Sequence, residues 1–200
     1  MLEPKYSKNQ NHRKQSMELL DVVDENGIPT GETVIREEAH RRGIRHCTSH
    51  IWLIRIHHGK AQVLLQKRSP DKESYPGCYD ISSAGHIPAG DGFLESALRE
   101  LKEELGVEAN AEELIYCGQR KMEFRETFHG QEFWDNQISN IYALWRDAEP
   151  GEFTIQRSEV EAVLWMDWDL CVDMVQNMKE PNCIWIEELK MVSSTVNGIG

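Results

Sequence analysis

No run of about 18 consecutive apolar residues occurs in the chain, which argues against a membrane-spanning helix. Cysteine is sparse and unpatterned. Cys47, Cys78, Cys117, Cys171 and Cys183 are an odd number with no CxxC spacing. Free thiols in a reducing cytosol are the simplest account, so a cytoplasmic location is expected. Positive charge is short as well, with 22 Lys and Arg against 34 Asp and Glu and a net charge of −12. Such a field repels a nucleic-acid backbone, so neither nucleic acid nor a membrane is expected as a partner. A small anionic substrate stays open, because divalent cations can stand between acids and a phosphate. The leading MLEPKYSKNQNHRKQS has no apolar core of the secretory kind and nothing to bury. It predicts a disordered leader over 1–16, ahead of one domain over 17–200.

What is present alternates between strand and helix patterns. A strand is expected from Glu18 to Val23, turning at Asn26-Gly27 to a partner near Thr33. A short helical turn follows over Arg36 to Arg42, ended by Gly43. Apolar runs at His50 to Ile56 and Ala61 to Lys67 read as a hairpin, and a strand is expected from Cys78 to Ser83. Further strands are expected at Leu114 to Gln119, Ile138 to Trp145 and Val160 to Met166. Helices are expected over Asp167 to Met178 and Pro181 to Met191. The mixture predicts an α/β fold with a central mixed sheet covered by helices.

The clearest helix runs from Phe93 to Leu105, after a Gly/Pro loop from Gly85 to Gly92 and before a left-handed cap at Gly106. At 100° per residue, Ala97, Leu98, Leu101 and Leu105 share one side, which predicts the core face. Glu100, Glu103 and Glu104 sit at i, i+3 and i+4 beside it. A merely solvated face usually interleaves Lys or Arg to relieve such repulsion. Here the arc is wholly acidic, and hard divalent cations are the natural compensation. Any one of these acids alone would read as solvated surface. Gly85, Arg99, Glu100, Glu103, Glu104 and Gly106 together have a chance probability on the order of 10⁻⁷ per window.

The segment from Gly85 to Val107 resembles the Nudix box, GX5EX7REUXEEXGU with U apolar, and departs from it only at Asp91, where the family has glutamate. The resemblance implies a Nudix fold, an α/β/α sandwich. It also implies hydrolysis of a diphosphate linkage in a small soluble substrate, such as a nucleoside diphosphate linked to another moiety. Glu100, Glu103 and Glu104 are then metal ligands for Mg²⁺, with Mn²⁺ as substitute. Glu103 or Glu100 is the candidate base, and Arg99 orients the acids and pairs with an acid such as Asp91. A homodimer is left open, since dimers are common among such proteins.

From about Met17 to Trp168 the chain is also similar to the isopentenyl-diphosphate isomerase-like branch of that superfamily, through LLDVVDENGIPTGETVIREEAHRRGIRHCTSHIWLI and LLQKRSPDKESYPGCYDISSAGH. Isomerases carry a cysteine and a glutamate where Ala84 and Gln137 stand here. The isomerase chemistry, which needs an acid/base pair across an alkene, therefore loses both partners. His40, His46 and His86 match positions that bind a metal in isomerases, and loop hydrogen bonding is the competing reading. Lys67 and Arg68 are candidates for diphosphate contact, with a salt bridge as the alternative. Gly85 and His86 are expected near the substrate. Glu159, before a strand, is a candidate extra ligand or base. Trp52, Tyr75 and Trp134 are expected in the core rather than on a ligand. A non-catalytic ligand sensor is the remaining rival, and the intact acids argue against it.

Overall fold

The computed structural model describes residues 17–198, so the expected leader lies outside the described residues. In chain order the strands are β1 (Leu19–Val23), β2 (Pro29–Ile35), β3 (His46–His57), β4 (Lys60–Arg68), β5 (Tyr79–Asp80), β6 (Ser83–His86), β7 (Ile115–Phe128), β8 (Gln131–Trp145) and β9 (Val160–Asp167). The helices are α1 (Arg36–Arg42), α2 (Phe93–Leu105), α3 (Trp168–Gln176) and α4 (Ile186–Asn197). β1 and β2 form a separate ribbon; the other seven strands make one sheet, β5-β4-β3-β8-β7, with β6 on β3 and β9 on β4. β3 and β8 are parallel and the remaining pairs antiparallel, so the sheet is mixed as expected.

β3 is the central strand. Every residue from His46 to Arg55 is buried, because both sheet faces are covered there. Ile51 and Leu53 point to one side and meet Ala97, Leu101 and Leu105 of α2. Trp52 and Ile54 point to the other and meet Cys171, Met174 and Val175 of α3 and Leu189, Val192 and Val196 of α4. Period two on the strands and 3.6 on the helices thus meet in two apolar layers. The result is the α/β/α sandwich.

Three elements depart from the sequence pattern. The strand expected over Cys78–Ser83 is split in two: β5 pairs with β4 and β6 with β3. At the crossing, the Ser82 hydroxyl donates to Leu64 O at 2.6 Å and accepts from Leu53 N at 2.7 Å. The last helix begins at Ile186, not Pro181, and runs to Asn197. Tyr79 N donates to Pro181 O and Cys183 N to Tyr79 O, so residues 181–183 are held extended against β5. β7 and β8 extend far past the expected strands and close through His129 and Gly130, both with positive φ (51° and 78°). That turn has the twist of a tight hairpin, without the Asn-Gly signal that usually announces one.

Candidate active site

Helix α2 starts after Gly92, whose N–H is accepted by Glu95 Oε2 at 3.3 Å, and ends in the left-handed Gly106. Its buried side fixes the rotation of the whole helix. Glu104 is thereby 6% exposed, the Glu100 side chain 14% and the Glu103 side chain 55%. The acids form a gradient from interior to solvent. β6 lies against them: a Cβ on Gly85 would stand 2.1 Å from Glu100 Cδ, and Ala84 N donates to Glu104 Oε2 at 3.3 Å. Only a glycine lets the strand come this close to Glu100.

Arg99 Nη1 lies 2.9 Å from Glu100 Oε1 and 3.6 Å from Glu103 Oε2, and Nη2 donates to His86 O at 3.2 Å. The expected pair with Asp91 is replaced by these contacts. Asp91 sits exposed in the turn that precedes the helix, its N–H bonded to Pro88 O. Arg99 therefore ties two of the acids to the strand that carries His86.

Burial pushes the Glu100 carboxyl up to about 8, helped by the charge of Glu104. Burial pushes Glu104 up to about 7, with Lys72 opposing and Glu159 and Asp80 adding to the rise. Neighbouring buried carboxylates without a compensating cation are costly. An oxygen-only donor set of this kind fits a hard dication such as Mg²⁺. Because both folded values stand above the ordinary carboxylate value, these two carboxyls bind more protons in the metal-free native state than in the unfolded chain between about pH 4.5 and 8. Their contribution to metal-free stability is therefore expected to fall as pH rises through that window, while the buried neutral His40, His46 and His86 contribute in the opposite sense below about pH 6.5. Thermal melts with and without Mg²⁺ should show the larger metal-induced rise near the top of the window. A Mg²⁺ effect that is equal, or larger at its acid end, would contradict this account.

The remaining sequence candidates spread around this centre. Lys67 pairs with Glu161 at 3.3 Å, and Arg68 with Asp80 at 2.8 Å while also donating to Ser74 O; the salt-bridge alternative describes both. Glu159 pairs with Lys72. Lys72, in the loop after β4, escaped the sequence reading because it belongs to no periodic segment. Trp52 is core, Trp134 stacks under Arg125, and Tyr75 donates to Glu126 Oε2 at 2.7 Å.

His40, His46 and His86 converge, with one ligating atom from each within 4.8 Å of the others. His40 comes from α1, His46 from the start of β3 and His86 from the end of β6. His46 Nδ1 donates to Ile44 O at 2.9 Å, which leaves Nε2 with a bare lone pair. Burial holds His40 down at about 2 and His46 at about 4, so both rings are neutral. Asp135 Oδ1 stands 3.7 Å from His40 Nδ1 and from His46 Nε2, and none of the three atoms has a hydrogen-bond partner. With neutral rings these contacts are not ion pairs. Asp135 was not among the sequence candidates, since it lies in a hairpin the pattern did not show.

A mixed sheet covered by helices on both faces, with an acid-lined helix packed against a glycine-bearing strand, defines an α/β scaffold. Known proteins share this fold. Residues 48–183 match the NUDIX domain model. An uncharacterized Nudix hydrolase of Clostridium acetobutylicum is 37% identical over 160 residues, covering 80% of this chain and 75% of that protein. Nudix hydrolase 3 of Arabidopsis thaliana is 38% identical over 156 residues, 76% of this chain but 19% of that longer protein. The crystal structure of DR0079 from Deinococcus radiodurans shares the fold, with a TM-score of 0.64 at 20% identity over 86% of this chain and 98% of that one. The chain belongs to the Nudix family and is a Nudix hydrolase.

Proposed function

We propose that the protein hydrolyses the diphosphate linkage of a small soluble nucleoside diphosphate derivative, with Mg²⁺ as its cation and Mn²⁺ as a substitute. The observation that carries the proposal is the buried Glu100–Glu104 pair, with Glu100 pressed against Gly85 and both carboxyls pushed toward neutrality. A dication held there supplies charge neutralisation at diphosphate oxygens and acidifies a water. Glu100, Glu103 and Glu104 hold it. Glu103, the most exposed of the three, has room to take a proton from the attacking water. Arg99 keeps Glu100 and Glu103 aligned through its hold on His86 O. Gly85 and His86 offer their backbone to the diphosphate. Lys72, with its partner Glu159, supplies the positive field on the Glu104 side. Arg68 acts indirectly by ordering Asp80, and Lys67 by pairing at the sheet edge.

The convergence of His40, His46 and His86 supports kinship with the isomerase-like branch. With Asp135 it makes a second donor set, nitrogen-rich and suited to a transition metal. Ala84 and Gln137 speak against isomerisation, since neither moves a proton to or from carbon. Intact acids speak against a non-catalytic sensor. The net charge of −12 favours a small substrate that arrives with its cation over a polyanion.

The test is a hydrolysis screen over a diphosphate library with Mg²⁺ and with Mn²⁺, on protein whose metal content is measured. Phosphate or nucleoside monophosphate release is expected, together with a transition metal that His46→Ala removes. Binding without products across the library would sink the hydrolase assignment. Metal content unchanged in His46→Ala would sink the histidine centre.

A further inference from the structure

Strand β7 forms one edge of the sheet, and among the described residues only β8 pairs with it. The register runs unbroken from Gly118 opposite Ile141 to Phe128 opposite Gln131, between a bulge and the turn at His129-Gly130. The pair flanking a two-residue turn exchanges both main-chain hydrogen bonds, and such pairs alternate along an antiparallel ladder. Phe128 and every second residue back to Gly118 therefore bond to β8. Gln119, Lys121, Glu123, Arg125 and Thr127 aim their N–H and C=O groups away from the sheet. Among the described residues no main-chain bond outside the ladder reaches these five, and all five are exposed. An edge of unpaired backbone groups is a template for another strand. The bulge blunts only its start.

Charge decides what the template accepts. Along this edge the signs alternate: Lys121 positive, Glu123 negative, Arg125 positive. An edge of one sign repels its own copy in every register. Here an antiparallel copy related by a twofold axis at Glu123 sets Lys121 against Arg125, and like charges oppose pairing. With the axis at Met122, Lys121 of each copy faces Glu123 of the other, and Gln119 faces Arg125. That register engages every outward group from Gln119 to Arg125. An axis at Phe124 also sets Glu123 against Arg125, but it runs Gln119 into the turn of the other copy at His129. The Lys121 ammonium has no partner among the described residues, and Trp134 Nε1 occupies only one oxygen of Glu123, at 3.1 Å. On the opposite face the half-buried Met122 and Phe124 gain cover from the second copy.

We propose that β7 is a self-association surface: two copies pair edge to edge, antiparallel, about a twofold axis at Met122. The contact is isologous, so it consumes both free edges and stops at a dimer. The two sheets become one, and the exposed main-chain groups of both edges are satisfied.

Sedimentation equilibrium across the micromolar range tests this without any catalytic step. Wild type is expected to be a dimer. Lys121→Glu and Glu123→Lys each set like charges opposite one another twice, at exposed positions that leave the β8 ladder intact. Each should raise the dimer dissociation constant at least about tenfold. Mixing the two variants restores opposite charges at all those positions, so native mass spectrometry should find the mixed dimer dominant. A wild-type monomer at every concentration, or an assembly larger than two, overturns the proposal. So does a dimer indifferent to both single substitutions, or a mixture in which the two variants fail to pair.

Discussion

Glu103→Gln is expected to fold as the wild type does and to lose turnover by about 10²–10⁴-fold. The side chain is 55% exposed and Arg99 approaches it at 3.6 Å, so the amide disturbs little packing. On the proposed function, what it removes is a ligand charge and a proton acceptor at the solvent side of the acid gradient. Lower kcat with an unaltered melting temperature is the signature to look for, with product release measured at saturating Mg²⁺. Wild-type-like turnover in this variant would refute the role given to Glu103. Glu104→Gln makes a harsher probe, because that carboxyl is buried and its loss mixes catalysis with stability.

Gly85→Ala should be nearly as damaging, for a steric reason. The added methyl would stand 2.1 Å from Glu100 Cδ and 2.3 Å from its Cγ, far inside van der Waals contact. Strand β6 is pinned to β3 over four residue pairs, so the Glu100 side chain must yield. Turning that carboxylate away also breaks its 2.9 Å contact with Arg99. Mg²⁺ affinity is expected to fall about 10–100-fold, the usual cost of misorienting a ligand, with turnover falling alongside. Gly151→Ala is the matched control, since among the described residues no atom beyond its chain neighbours lies within 4 Å of its added methyl. Titration calorimetry of both variants reads the difference directly. An unchanged Mg²⁺ affinity in Gly85→Ala would show that Glu100 is not part of the seat.

Much of the site was legible in one dimension because one helix carries it. The i, i+3, i+4 spacing of Glu100, Glu103 and Glu104, the apolar stripe beside them and the Gly106 cap are short-range facts, and α2 appears over Phe93–Leu105 as the pattern requires. Lys72 and Asp135 were not legible, since each lies in a segment whose residues show no clean periodicity. Met122 to Phe133 mixes charges with Phe124, Phe128 and Phe133, and only pairing across the His129-Gly130 turn makes it a hairpin. The last helix was misplaced by five residues at its start for a related reason: β5 captures residues 181–183 before helix can form.

The sequence by itself determined the family, the acidic helix and the chemistry it invites, because helical spacing turns neighbours in the chain into neighbours in space. Tertiary structure decided which acids lose water, that Gly85 lies against Glu100, and that His40, His46, His86 and Asp135 meet from four elements. It also decided that Arg120 of β7 lies buried against Glu188 of α4. Burial and long-range register depend on the whole sheet closing around β3, and no local pattern of residues encodes that closure.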